Sequence, residues 1–142
     1  MPVSVKVNAQ AWMLLGFLIL TVPLGWIIAG FLAATIHEIC HIIVITVFKM
    51  PIYGVSIGFS GAKIHTVPLS AIQEFICAAA GPMGSFLCVL FIHRWPMVAL
   101  CGLFQGFFNL LPIYPLDGGR MLRSIIQGIG KIPCKESNLG VQ

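Results

Sequence analysis

A chain of 142 residues with 58% hydrophobic and 8% charged side chains cannot cover a water-facing surface with polar groups. That excludes a soluble globular domain and makes the bilayer the expected solvent for a single membrane domain. The net charge of +4 is spread along the chain, with no Lys/Arg stripe interleaved with aromatics, so no nucleic-acid partner is expected. Five cysteines, an odd number without a CxxC pair, read as small buried hydrophobes and not as a disulfide framework.

In chain order, residues 1–9 form a short polar start. Residues 10–48 are an apolar run about twice the roughly 20 residues needed to span a bilayer. Two helices fit, broken near Pro23-Leu24-Gly25 or near Ala29-Gly30, and the pattern does not choose between them. No small-residue cleavage site follows the run's start, so the first span is expected to stay uncleaved. Residues 49–67 differ: Pro51, Gly54, Gly58 and Gly61 surround Val55-Ser56-Ile57-Gly58-Phe59-Ser60, which alternates with period two. A strand is expected there, with a hairpin turn near Ser60-Gly61. It reads either as a connecting loop or as an exposed edge that pairs with an extended substrate.

Residues 68–93 give a third apolar helix with Ala78-Ala79-Ala80-Gly81-Pro82-Met83-Gly84 in its middle, where small residues allow close backbone approach and Pro82 invites a kink. A turn at Arg94-Trp95-Pro96 leads to a fourth apolar helix over 97–111. In Asn109-Leu110-Leu111-Pro112-Ile113-Tyr114-Pro115-Leu116-Asp117-Gly118-Gly119-Arg120 the two prolines unwind the helix and the glycine pair permits a turn. Broken backbone at membrane depth is tolerated only inside protein or along a wet cavity, so Asp117 should be presented to the interior. Residues 121–129 read as an amphipathic helix. The domain reading is a core over 1–130 and a polar tail over 131–142.

The fold class expected is thus an all-α polytopic membrane protein, with about four spans and a short membrane-associated β hairpin between helices 2 and 3. With four spans, Lys6, Lys49, Lys63, Arg120, Arg123, Lys131 and Lys135 fall on one side and Arg94 on the other. That bias places both termini in the cytoplasm. Trp12, Trp26 and Trp95 suit the interfacial belt.

The chemistry concentrates at Thr35-Ile36-His37-Glu38-Ile39-Cys40-His41. Helix positions four apart lie about 40° apart around the axis, so His37 and His41 share a face and can bind one zinc ion. Glu38 is the only formally charged side chain between Gln10 and Phe48. An ionisable group there costs roughly 2.5–3.5 kcal/mol on insertion scales, which marks a functional site. Glu38 is placed to act as general base on a water. Catalytic zinc usually takes three protein ligands and keeps one position open. Asp117 is the expected third, and Glu74, near the start of the third helix, is its rival. Charge counting puts His37, His41 and Asp117 near the same side of the membrane. His65 and His93 lack spaced partners and read as interfacial.

The pairing of HExxH in a membrane helix with Asn-x-x-Pro-x-x-Pro-Leu-Asp-Gly about 70 residues on resembles the site-2 protease family of intramembrane zinc metalloproteases. The resemblance runs from about Leu24 to Arg123, closest to short forms without a PDZ domain such as those that release a sigma-factor precursor during sporulation. It implies His37, His41 and Asp117 as zinc ligands, Glu38 as catalytic base, and Asn109 as a residue that holds the substrate strand or an oxyanion. It also implies a transmembrane or membrane-associated protein substrate, often a transcription-factor precursor, a bacterial cell membrane, and a possible regulatory membrane partner. Two departures stand out. Cys40 replaces a usually small residue, and Met83-Gly84-Ser85 follows Gly81-Pro82 where the family often has an Asn. The competing readings are an inactive zinc-binding membrane protein that regulates a partner, which the intact Glu38 argues against, and a transporter, which the absence of an internal repeat argues against.

Overall fold

The computed structural model describes residues 4–7, 9–58 and 61–130. Its elements run β1 (Ser4–Val7), α1 (Ala9–Thr21), α2 (Leu24–Val47), β2 (Ile52–Gly58), β3 (Gly61–Thr66), α3 (Ala71–Leu87), α4 (Pro96–Asn109) and α5 (Asp117–Gly130), with one turn of 3-10 helix at Cys88–Phe91 between α3 and α4. The polar tail over 131–142, with Cys134, lies outside the described residues.

Proline decides the first break. Pro23 offers no N–H and disfavours helical geometry at the residue before it, so α1 ends at Thr21 and Pro23 caps α2. Ala29-Gly30, the other possible break, lies inside α2. At about 1.5 Å per residue the 24 residues of α2 reach about 36 Å, enough to cross a bilayer. Residues 71–91 are the second stretch long and apolar enough to do so, whereas Trp12–Thr21 and Pro96–Asn109 are shorter apolar helices. Ser70 opens α3 with a capping box: its Oγ accepts from Gln73 N, and its own N–H donates to Gln73 Oε1 at 3.0 Å. Pro82 lies within α3 without ending it. Pro96 starts α4 at a position where a missing N–H costs nothing.

The packing is inside-out relative to a water-soluble domain. The buried apolar residues are mostly small (Ala29, Ala33, Cys77, Ala78, Cys88 and Ala99, with Ile45 the large one), while Phe17, Phe31, Phe104 and Leu90 are exposed. Lipid tails solvate large apolar side chains as well as a protein core does, so close helix contact falls to small residues. At Gly102 a methyl would stand 2.7 Å from the Ser85 carbonyl oxygen, which shows how closely α4 crosses α3. The buried stripe of α2 is Ala29, Ala33, His37, His41 and Ile45, four residues apart throughout. It is the line along which α2 meets α3 and α4.

The strands form one sheet in the order β1-β2-β3. β2 and β3 pair antiparallel from Ile52↔Thr66 to Gly58↔Gly61, with an irregularity between Ile52 and Gly54. The polar start corrects the sequence reading: Ser4–Val7 is a strand, paired parallel with Gly54–Ile57. A four-residue alternation has too little pattern to stand out when its partner lies beyond two helices.

A second correction concerns the glycine pair that follows the fourth helix. α4 stops at Asn109, and Asp117 begins α5, where a carboxylate suits the positive end of a helix. Gly118 and Gly119 are therefore helical and supply clearance, not a turn. A methyl on Gly118 would fall on the Leu110 carbonyl and lie 2.5 Å from Leu111 O, and one on Gly119 would lie 2.5 Å from Ile113 C. The start of α5 is thus seated directly on the backbone that leaves α4. The peptide bond Tyr114-Pro115 in that backbone is cis.

Candidate metal centre

Two elements bring His37, His41 and Asp117 together. His37 and His41 lie one turn apart on the buried stripe of α2, and Asp117 is carried in by the first turn of α5. Their relative exposures are 3%, 5% and 6%, so none of the three can rely on water. Asp117 Oδ2 lies 3.0 Å from His37 Nε2 and 3.2 Å from His41 Nε2, and the two Nε2 atoms are 3.2 Å apart.

The far side of each ring fixes which nitrogen faces inward. His41 Nδ1 lies 2.7 Å from the Cys77 carbonyl oxygen, which can only accept. A neutral His41 therefore carries its proton on Nδ1 and turns a lone pair inward on Nε2. His37 Nδ1 lies 2.8 Å from Ser85 Oγ, a hydroxyl able to accept from it. With both rings neutral, two imidazole lone pairs and one carboxylate oxygen face each other at 3.0–3.2 Å with no proton between them. That arrangement is repulsive unless a cation sits at its centre. Ligands about 2.0–2.1 Å from a tetrahedral zinc lie about 3.3 Å from one another, close to this triangle. Two imidazoles and a carboxylate are also a donor set that zinc accepts. The residues present thus fit a divalent zinc ion, and the three ligand atoms form the one such group of His, Cys, Asp or Glu among the described residues.

Space for the ion is kept by α3. Gly81 lies opposite both rings, and a methyl there would stand 2.6 Å from His37 Nε2. Cys77, Gly81 and Ser85 are four residues apart and make one stripe: carbonyl for His41, clearance for the centre, hydroxyl for His37. Sequence reasoning missed Ser85 and Gly81 as parts of the site, although that four-residue spacing was legible. Ser85 also changes what the departure after Gly81-Pro82 means, because this segment does supply a polar group and aims it at His37. Cys40 packs its sulfur against Gly84, where a β-carbon would collide with it, in keeping with the packing reading of that departure.

The remaining candidates lie on α2, α3, α4 and the turn before α4. Glu38, half-buried on α2, is adjacent to His37 in sequence. Asn109, the last residue of α4, donates from Nδ2 to the Gln105 carbonyl at 3.1 Å. Glu74 accepts a 2.8 Å hydrogen bond from Arg120 Nε, and Arg120 Nη1 donates at 3.2 Å to Asp117 Oδ1. His93 is exposed in the turn before α4.

The fold is that of a site-2 protease. It superposes on the solved site-2 protease from Methanocaldococcus jannaschii with a TM-score of 0.74 at 22% identity, covering 87% of this chain and 67% of that one. The model of peptidase family M50 matches residues 88–141, which include Asn109 and Asp117. A zinc metalloprotease of the same organism is 29% identical over 68% of this chain. The chain spans about a third of that relative's length, 32%. The three findings bear out the resemblance that the paired motifs carry, to the site-2 protease family of membrane-embedded zinc metalloproteases.

Proposed function

We propose that this chain is an intramembrane zinc metalloprotease that hydrolyses a peptide bond of a transmembrane or membrane-associated protein, a membrane-tethered transcription-factor precursor being one such substrate. The observation that carries the reading is the convergence of His37 Nε2, His41 Nε2 and Asp117 Oδ2 from two distant motifs into one buried triangle, with Glu38 next to the first ligand. In this reading α1 and α4 complete a four-span bundle, the termini are cytoplasmic, and β2 with β3 lies at the membrane surface, where an edge strand can pair with an unwound substrate.

His37, His41 and Asp117 would hold the zinc. When bound, the ion would polarise the scissile carbonyl and lower the pKa of a water to about 7. Cys77 and Ser85 keep each imidazole proton on Nδ1, so that both Nε2 lone pairs stay inward. Glu38 takes one proton from the attacking water as the oxygen bonds to the carbonyl carbon. It delivers that proton to the nitrogen as the C–N bond breaks, leaving a carboxylic acid and an amine. Asn109 steadies the substrate strand or the developing oxyanion. The helices around the centre keep bulk water out.

Zinc content of the detergent-purified chain tests the reading. One zinc per chain is expected, retained in Glu38→Gln with peptide turnover abolished, and lost or greatly weakened in Asp117→Asn. Zinc that ignores Asp117 would refute the ligand set. A Glu38→Gln chain as active as wild type would refute the mechanism. Wild type that binds zinc and cleaves nothing would favour a partner-binding regulator.

A further inference from the structure

Glu74, once a rival ligand, is turned away from the metal triangle by a single guanidinium. Arg120 donates from Nε to Glu74 Oε1 at 2.8 Å and from Nη1 to Asp117 Oδ1 at 3.2 Å. Asp117 therefore splits its oxygens: Oδ2 faces the two imidazoles and Oδ1 faces Arg120. Glu74 lies in the first turn of α3, the helix that also carries Cys77, Gly81 and Ser85. The carboxylate is thus tied through Arg120 to the element that orients both histidines.

We propose that Arg120 is a positioning residue of the metal centre: anchored by Glu74, it occupies Oδ1 of Asp117 and leaves one oxygen for the ion. The inference rests on the zinc reading above. A free carboxylate can bind a metal through both oxygens. Doing so would add a ligand and crowd the position that a hydrolytic centre keeps for water. An arginine suits the task because its planar fork reaches two carboxylates at a fixed angle, whereas a lysine ammonium is a point charge on a flexible stem. Removing a group that hydrogen-bonds a metal ligand commonly changes affinity or activity by about 10–100-fold. Both Arg120 and Glu74 side chains are 29% exposed, so the pair is partly buried and its loss can also cost stability.

The experiment uses the full chain in detergent as wild type, Arg120→Gln, Arg120→Lys and Glu74→Gln. Zinc affinity is read by chelator competition and coordination by the absorption spectrum of the cobalt(II)-loaded protein. Arg120→Gln should lose about 10–100-fold in zinc affinity, and its cobalt bands should weaken as coordination rises from four to five. Lysine should not restore either property. Glu74→Gln should shift both the same way, and the double variant should be no worse than Arg120→Gln alone. Wild-type affinity and spectrum in Arg120→Gln would overturn the proposal and leave Arg120 as a tie between α5 and α3. If Arg120→Gln fails to fold, unchanged spectra in Arg120→Lys and Glu74→Gln overturn it equally. Wild type that takes up neither zinc nor cobalt would bring down the metal reading itself, a different failure.

Discussion

Gly81→Ala adds one methyl group, and the structure says where it goes. The new carbon would stand 2.6 Å from His37 Nε2 and 2.6 Å from His41 Cε1, and closer still to His41 Nε2. Comfortable contact begins at about 3.5 Å, so the His37 ring must withdraw by roughly 0.9 Å and the His41 ring by more. Metal–ligand distances hold within about 0.2 Å, so the two imidazoles can no longer meet one ion together with Asp117. A zinc affinity at least about 100-fold lower is expected, or about 2.8 kcal/mol. Apo stability should change much less. Alanine is worth about 1 kcal/mol over glycine in a helix, and overpacking costs about 1–3 kcal/mol in return. Chelator competition measures the first quantity and thermal unfolding of the metal-free protein the second. Gly30→Ala on α2 is the control, since a methyl there meets nothing within 4 Å. Wild-type zinc affinity in Gly81→Ala would refute the assignment of this space to the ion.

Two other substitutions separate orientation from seating. Ser85→Ala leaves His37 Nδ1 buried without its partner, which should destabilise the fold by about 1–3 kcal/mol and weaken zinc binding by about 10–100-fold; zinc titration and thermal unfolding check both, and unchanged zinc affinity would separate Ser85 from the centre. Gly118→Ala drives a methyl into the backbone at Leu110 and Leu111, which cannot swing aside as a side chain can. A loss of about 3 kcal/mol or more is expected, together with loss of zinc as neighbouring Asp117 is displaced, read by unfolding and by metal content.

The residues that could hold the metal were legible because their chemistry is conspicuous in a membrane segment. Two histidines at helical spacing and an aspartate beside a double-proline break each stand out against a chain with 8% charged residues. The first helix break was legible to within two candidates, and the missing N–H of Pro23 decided between them. What stayed hidden belongs to the third dimension. Glu74 and Arg120 are 46 positions apart, so nothing local pairs them. Gly118-Gly119 looked like a turn because glycine signals clearance and flexibility with the same letter. Only the neighbouring backbone tells the two apart. Ser85 looked like the loss of a contact, and the ring that it holds becomes visible only once α2 is laid against α3.

The parallel pairing of β1 with β2 bears on the order in which the molecule is made. Ser4 is made before α1 and α2, yet its partner Gly54 follows about fifty residues later, after both helices. Synthesis runs from the N-terminus, and a contact so distant in sequence closes late. The first strand must therefore wait until both helices have been made. The sheet thus records the completion of the helix that carries His37 and His41, because β1 finds its partner only after that helix has been made.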